Sequence, residues 1–195
     1  VTPIGRWVLR EACRQIKAWQ DEGLARVPVA VNVSAMEFRQ RDLVGEIKQV
    51  LADTGLDAQY LEIEITETTL MQQPEQARTT LDELRALGVG VTVDDFGTGY
   101  SSLAYLKRYP LDKIKVDRSF VIDTPSDGED VAIVTAIVQL ARSLQLQSVA
   151  EGVETPEQLG LLQRLGCELA QGFGIAAPMD AGSAHAWLQM QPPEP

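Results

Sequence analysis

Two adjacent aspartates, Asp94 and Asp95, follow a β-branched run and precede a loop that contains Gly97 and Gly99. The run predicts a buried strand, so both carboxylates are expected at its carboxyl end. Like charges this close repel each other and raise a pKa, and a divalent cation would remove that cost. The alternative is a solvated turn, in which Asp and Gly are common. This stretch alone does not separate a metal site from a turn.

Polar or charged side chains close the other predicted strands as well. Because the carboxyl ends of parallel strands meet on one face, we expect these groups to converge there, where barrel enzymes build their active sites. In chain order the groups are Asn32, Glu64 with Glu67, Asp94 with Asp95, Lys115 with Asp117, Glu151 with Glu154, and Gln171.

Strands and helices alternate along the chain, which predicts an α/β protein with a parallel sheet. We rank a TIM-like (β/α)8 barrel first and a doubly wound sheet second, because the chain has no glycine-rich dinucleotide loop. Predicted strands cover residues 27–34, 60–66, 89 to the paired aspartates, 111–116, 148–152 and 169–173. Predicted helices cover residues 4–23, 43–51, 74–87, 102–108, 131–144, 156–165 and 181–190.

Composition limits the possible functions. The 195 residues predict one domain over residues 1–190 with a tail at 191–195, and a formal net charge of −11 argues against binding a nucleic acid polymer. His185 is the only histidine, which excludes Ser-His-Asp and Cys-His catalysis and a histidine zinc site. Cys13 and Cys167 lie far apart in apolar segments, as expected of free thiols in the cytoplasm. No apolar run is long enough to span a membrane, so we expect no membrane contact by this domain.

The motifs at the strand ends resemble, in order, those of EAL-domain cyclic di-GMP phosphodiesterases. The resemblance implies a (β/α)8 barrel with one antiparallel strand. It also implies two divalent ions, Mg²⁺ or Mn²⁺, and hydrolysis of one phosphodiester bond of cyclic di-GMP to linear pGpG. The motifs are NVS at 32–34, EITE at 64–67, DDFGTGYSSL at 94–103, KVDRSFV at 115–121, AEGVET at 150–155, QGF at 171–173 and APM at 177–179.

A set of metal ligands is implied by the same resemblance. Asn32, Glu64 and Asp94 would hold one ion, and Asp94 would bridge to the second. Asp95 and Glu151 would serve that second ion, directly or through water.

The resemblance also implies roles beside the ions. Lys115, with Glu151 and Gln171, would serve catalysis: Lys115 would orient or activate the attacking water, and ions nearby would lower its pKa. A structural ion pair to Asp94 or Asp117 is the alternative for this lysine. Glu67 would brace the GTGYSS loop, which in the family couples the site to a dimer interface. Asp117, Glu154 and Pro178 are expected to contact the ligand residues from outside or to lie at the edge of the substrate.

The chain departs from the family pattern at one place. The Glu-Ala-Leu motif and the two strands expected before Val1 are missing, and the glutamate of that motif normally completes the first metal site. We therefore expect a fragment of a longer domain, inactive by itself and active once complete. Expected partners are a second copy in a homodimer and flanking sensor or GGDEF-type domains, in the cytoplasm or at the cytoplasmic face of a membrane-anchored protein.

Two other functions stay open from the sequence. One is a receptor that binds cyclic di-GMP without hydrolysing it, which the missing glutamate favours. The other is a barrel enzyme that acts on a different phosphorylated metabolite.

Overall fold

In the part of the chain that the structure describes, six parallel strands form one sheet whose order follows the chain, with each strand paired to the next. The computed structural model describes residues 3–24, 26–40, 42–99 and 103–190. Consecutive parallel pairing through helical crossovers gives a half-barrel, so the carboxyl ends of all the strands lie at the same rim. The strands are β1 Val29–Asn32, β2 Leu61–Thr66, β3 Gly90–Phe96, β4 Lys113–Val116, β5 Gln147–Ala150 and β6 Leu169–Ala170.

Helices connect the strands and cover the apolar face of the sheet. Ten helices occur within the described residues, together with a short 3-10 turn at Ala58–Tyr60. They are α1 Pro3–Asp21, α2 Ala35–Phe38, α3 Leu43–Thr54, α4 Glu67–Gln72, α5 Pro74–Leu87, α6 Leu103–Leu106, α7 Arg118–Val121, α8 Gly128–Ser143, α9 Pro156–Leu165 and α10 Ala181–Gln189.

The main apolar core lies between the strands and the helices. Leu61, Ile63 and Ile65 of β2 are fully buried, and they pack in the same cluster as Leu81 and Leu84 of α5. Successive side chains of a strand point to opposite faces, so the alternate residues of β2 face the interior of the half-barrel. That interior face carries charges.

Two layers of ion pairs occupy the interior face. In the lower layer Lys113 pairs with Glu62, and the Thr92 hydroxyl donates to the same carboxylate. Two residues further along the same strands, Lys115 pairs with Glu64. The spacing of two residues on both strands places both pairs on one face.

The sequence predicted the strands and the long helices in the right order. The helix expected at residues 102–108 is the shorter α6, and residue 102 and the tail at 191–195 lie outside the described residues. Three short helices, α2, α4 and α7, were not predicted, because four to six residues are too few to show a helical period. Each begins within three residues of the end of a strand, capped by Ser34 and Asp117 in the first and last case.

The lower ion pair gives a prediction about stability. Lys113→Met leaves the Glu62 carboxylate buried without a cation, and we expect it to lower the free energy of unfolding by about 3 kcal/mol. Glu62→Leu combined with Lys113→Met removes both charges and should recover most of that loss. Urea unfolding of the two variants checks this, and a double variant as unstable as the single one would contradict it.

Candidate active site

The Lys115 ammonium lies at the centre of the site, in contact with three carboxylates from three other strand ends. Its Nζ is 2.9 Å from Glu64 Oε2, 3.1 Å from Asp94 Oδ1 and 2.6 Å from Glu151 Oε1. The lysine is 4% exposed, so its charge is screened little by water. We call Glu64, Asp94, Asp95 and Glu151, grouped around Lys115, the carboxylate cluster.

Two amide side chains extend the cluster on either side. Asn32 Nδ2 donates to Glu64 Oε2 at 3.1 Å, and Gln171 Nε2 donates to Glu151 Oε1 at 2.6 Å. Thus the structure brings together the polar groups that close all six strands, in the order in which the strands pair. Asn32 ends β1 and Gln171 directly follows β6, the two outermost strands, and both residues are exposed.

Asp95 reaches the cluster through an irregular backbone. Regular alternation would place Asp94 and Asp95 on opposite faces of β3. The register between β3 and β4 shifts between Val93 and Phe96, and Asp95 has φ of 53°, in the left-handed region. This bulge turns the second carboxylate toward the same rim as the first, as bulges near active sites commonly do.

The cluster changes the pKa values of its members. Burial raises the pKa of Asp95, and the neighbouring charges of Asp94 and Asp117 raise it further. Burial also raises the pKa of Glu151, although its hydrogen bond to Lys115 acts in the opposite direction. For Lys115 burial alone would lower the pKa, but its hydrogen bonds to Glu151 and Glu64 outweigh that effect and raise it. Held by carboxylates alone, Lys115 is therefore a protonated donor. The lower pKa expected for this lysine beside bound ions stays a prediction.

The cluster fits a divalent cation. Asp94, Asp95 and Glu151 each offer an oxygen atom, and these atoms lie within 4.8 Å of one another. Carboxylate and amide oxygens are the ligands that Mg²⁺ and Mn²⁺ prefer. Burial and, to a smaller extent, neighbouring carboxylates raise the pKa values of Asp95 and Glu151, and a cation bound there would offset both effects.

Glu67 lies beside the cluster and contacts the loop that follows β3. It is 1% exposed, and its Oε2 accepts a hydrogen bond from the Gly97 backbone N–H at 3.0 Å. Its Oε1 is buried and has no hydrogen-bond partner among the described residues. Tyr100, Ser101 and Ser102 of the same motif lie outside the described residues. The bond to Gly97 agrees with a bracing role, which stays a prediction.

The remaining predicted residues lie at the rim, beside a groove of about 580 Å³ that begins at Glu151 and Gln171. Glu154 lines this groove and pairs with Arg118 at 2.8 Å. Pro178 lines the same groove, whose surface is mostly apolar. Asp117 is close enough to affect the Asp95 carboxylate, and its Oδ1 accepts from the Ser119 N–H at the start of α7.

One side chain that the sequence analysis passed over joins two of these segments. Gln158, on α9, bonds both to the backbone of the loop after β5 and to the end of α7. The spacing Thr155-x-x-Gln158 is that of a capping box, so the sequence could have revealed the bond from Gln158 to the start of α9.

Barrel enzymes place their active sites at the carboxyl ends of parallel strands, which is where this half-barrel holds its acids and its lysine. A family model described as "EAL domain" matches residues 1–178. The chain is 48% identical over 181 residues to the bifunctional diguanylate cyclase/cyclic di-GMP phosphodiesterase MucR of Pseudomonas aeruginosa, covering 93% of this chain and 26% of that protein. It is 46% identical over 183 residues to the cyclic di-GMP phosphodiesterase NbdA of the same organism, covering 94% of this chain and 23% of that protein. The chain belongs to the EAL domain family.

Solved structures show the same fold. The structure described as the PaMucR phosphodiesterase c-di-GMP complex superposes with a TM-score of 0.90 at 48% identity, over 93% of this chain and 73% of that chain. The Klebsiella pneumoniae BlrP1 manganese/cy-diGMP complex superposes with a TM-score of 0.74 at 35% identity, over 87% of this chain and 43% of that chain. The prediction of a partial TIM-like barrel is confirmed. The chain spans about a quarter of the length of the curated relatives it matches.

Within the described part of the chain, each helix is either too short or too polar to cross a bilayer.

The position of Lys115 predicts a link between stability and divalent ions. Lys115→Met leaves Glu64, Asp94 and Glu151 facing one another without a cation, and we expect a loss of about 3 kcal/mol in the free energy of unfolding. Added Mn²⁺ should raise the melting temperature of this variant more than that of the wild type, because an ion then takes the place of the ammonium. Lys107→Met, at an exposed position, is the matched control. An equal rise in melting temperature on adding Mn²⁺ to Lys115→Met and to the wild type would contradict the prediction.

The contact between Glu67 and Gly97 predicts a local effect. Glu67→Leu removes the acceptor, so we expect the Gly97 amide hydrogen to exchange with solvent about tenfold faster, as the loss of a hydrogen bond to a charged group implies. Glu67→Gln keeps an acceptor oxygen and should exchange more slowly than the leucine variant. Amide exchange followed by NMR measures both, and unchanged protection of Gly97 in Glu67→Leu would refute the bracing contact.

Proposed function

We propose that the chain is the catalytic part of a metal-dependent phosphodiesterase that hydrolyses cyclic di-GMP to linear pGpG in bacterial second-messenger signalling. The observation that supports this most directly is the carboxylate cluster around Lys115, formed from the ends of four neighbouring strands. Two relatives that cover almost the whole chain are named as cyclic di-GMP phosphodiesterases. A structure with 48% identity is a complex with c-di-GMP.

The proposed metal site uses the ligands that the family resemblance implies. Asn32, Glu64 and Asp94 would hold one divalent ion, and Asp94, Asp95 and Glu151 would serve the second. Mg²⁺ or Mn²⁺ bound there would lower the pKa of a water molecule and neutralise the non-bridging phosphate oxygens. The all-oxygen ligands and the raised pKa values of Asp95 and Glu151 support this assignment.

The other side chains orient the reacting groups. Lys115 carries a proton and donates hydrogen bonds at the centre of the cluster, so it can hold the attacking water and balance the charge of the phosphate. Gln171 donates to Glu151 and fixes the direction of that carboxylate. Asp117, Glu154 and Pro178 border the groove or the cluster, where they would meet the edge of the substrate.

The partners of the chain are also proposals. Relatives that are about four times longer, one of them named as bifunctional with a diguanylate cyclase, favour flanking sensor or GGDEF-type domains. The family resemblance is the ground for a homodimer, in which the loop after β3 that Glu67 contacts would respond to the interface. Two free cysteines fit a location in the cytoplasm or at the cytoplasmic face of a membrane.

A receptor that binds cyclic di-GMP without turnover is the second candidate. The observation in its favour is that β1 and β6 have no further neighbour in the described sheet, so the two ends of the site, Asn32 and Gln171, are exposed.

Turnover decides between the two candidates. Cyclic di-GMP and Mn²⁺ are added to the 195-residue chain, to a version extended by its natural upstream sequence, and to the extended Asp94→Asn variant, and pGpG is measured by chromatography. We expect pGpG only from the extended wild type, because Asp94→Asn removes a carboxylate that would serve both ions. Asp82→Asn, on the exposed side of α5, is the matched control and should keep full activity. Tight binding without pGpG in the extended wild type would favour the receptor.

A further inference from the structure

The side chain of Gln158 is buried at 3% exposure, and all of its hydrogen-bonding capacity is used to join two separate segments. Its Oε1 accepts from the backbone N–H groups of Glu154 at 2.7 Å and Thr155 at 2.9 Å. Its Nε2 donates to the backbone carbonyls of Val121 at 3.2 Å and Ile122 at 3.0 Å. A single carboxamide therefore ties the loop between β5 and α9 to the end of α7.

A capping box accounts for only part of this arrangement. In such a box the side chain at the third helical position returns a bond to the N-cap residue, here Thr155, and a glutamate does so as well as a glutamine. The two bonds to Val121 and Ile122 need N–H donors, which a carboxylate lacks. Because helix capping leaves these bonds unexplained, they point to a second role of Gln158.

Each of the two segments that Gln158 joins, α7 and the loop after β5, contributes a residue that lines the groove. Arg118 is the first residue of α7, Glu154 belongs to the loop after β5, and their side chains pair at 2.8 Å. Both line the groove beside Glu151. Among the described residues that line it, Arg118 is the one with a cationic side chain.

Close packing fixes the same loop from two other directions. A Cβ at Gly152, where φ is 70°, would lie 2.3 Å from Arg118 Cγ, so the arginine side chain runs directly over this glycine. A Cβ at Gly174 would lie 2.7 Å from the Glu154 carbonyl oxygen, so the loop after β6 touches the Glu154 backbone. The loop thus has little freedom while Gln158 is in place.

We propose that Gln158 is a positioning residue, which holds Arg118 and Glu154 at the groove so that Arg118 can contact a phosphate of the bound ligand. A guanidinium binds phosphate oxygens with two parallel N–H bonds, provided that its position is fixed. Glu154 pairs with the guanidinium and keeps it beside the groove. This inference rests on the proposed function for the identity of the ligand, a cyclic dinucleotide with two phosphates.

Four variants test the tie between the two segments. Gln158→Met removes all four hydrogen bonds, whereas Gln158→Glu keeps the acceptor for the Glu154 and Thr155 amides. Gln163→Met makes the same chemical change on the exposed side of α9, and Leu162→Ala weakens the core under the same helix. By amide exchange in NMR, we expect the Glu154 and Thr155 hydrogens to exchange at least tenfold faster in Gln158→Met than in Gln163→Met. In Gln158→Glu they should stay protected.

Ligand binding tests the positioning role. With cyclic di-GMP and Mn²⁺ in calorimetry on the full chain, we expect about tenfold weaker binding for Gln158→Met and Gln158→Glu, since both lose the bonds to α7. Leu162→Ala should bind as the wild type does, even where its melting temperature falls as far as that of the methionine variant. Arg118→Gln should weaken binding of cyclic di-GMP similarly. Adding Gln158→Met to Arg118→Gln should lower the affinity little further, because both changes act through one contact.

Three results would overturn the proposal. The first is equal exchange of the Glu154 and Thr155 amides in Gln158→Met and Gln163→Met. The second is an affinity for cyclic di-GMP that falls in proportion to the melting temperature across all the variants. The third is a loss of binding free energy in the double variant that equals the sum of the losses in the two single variants. Failure of the wild-type chain to bind cyclic di-GMP would count against the proposed function, and the exchange comparison would then still decide whether Gln158 joins the two segments.

Discussion

One buried ammonium group among three carboxylates is the interaction on which the site depends. A buried charge is tolerated only when it is paired, so Lys115 requires Glu64, Asp94 and Glu151 at hydrogen-bonding distance, and they require it. These four side chains lie in or directly after four strands, β2 to β5, that are neighbours in the sheet. The ion pairs between the lysine and the carboxylates align the ends of those strands. The rim of the half-barrel therefore carries a fixed arrangement of oxygen atoms.

The same requirement extends below the rim. Glu62 and Lys113 form a second ion pair two residues earlier on the same strands. A slip of one residue in β2 would turn Glu62 and Glu64 into the apolar layer that now holds Leu61, Ile63 and Ile65. The register of the strands is therefore set by charge on one face and by apolar packing on the other.

Much of this arrangement was predictable from the sequence. The alternation of strands and helices indicated a parallel sheet, and the polar residue at the end of each strand indicated one shared rim, because both follow from simple periods. The orientation of Asp95 was not predictable, since regular alternation points it away from Asp94 and only the bulge reverses it. The short helices lacked a periodic signal. The hydrogen bonds from Gln158 to Val121 and Ile122 join residues 37 and 36 positions apart, which no local pattern reveals.

The backbone at Asp95 also has a consequence for protein engineering. A left-handed φ costs an ordinary residue on the order of 1 kcal/mol, and glycine would avoid that cost. A stability screen, or a design method that scores folding alone, would therefore favour glycine at this position and discard an oxygen atom that faces the rim. Thermostabilised versions of this domain should keep Asp95 fixed and take their gains from surface positions on the helices.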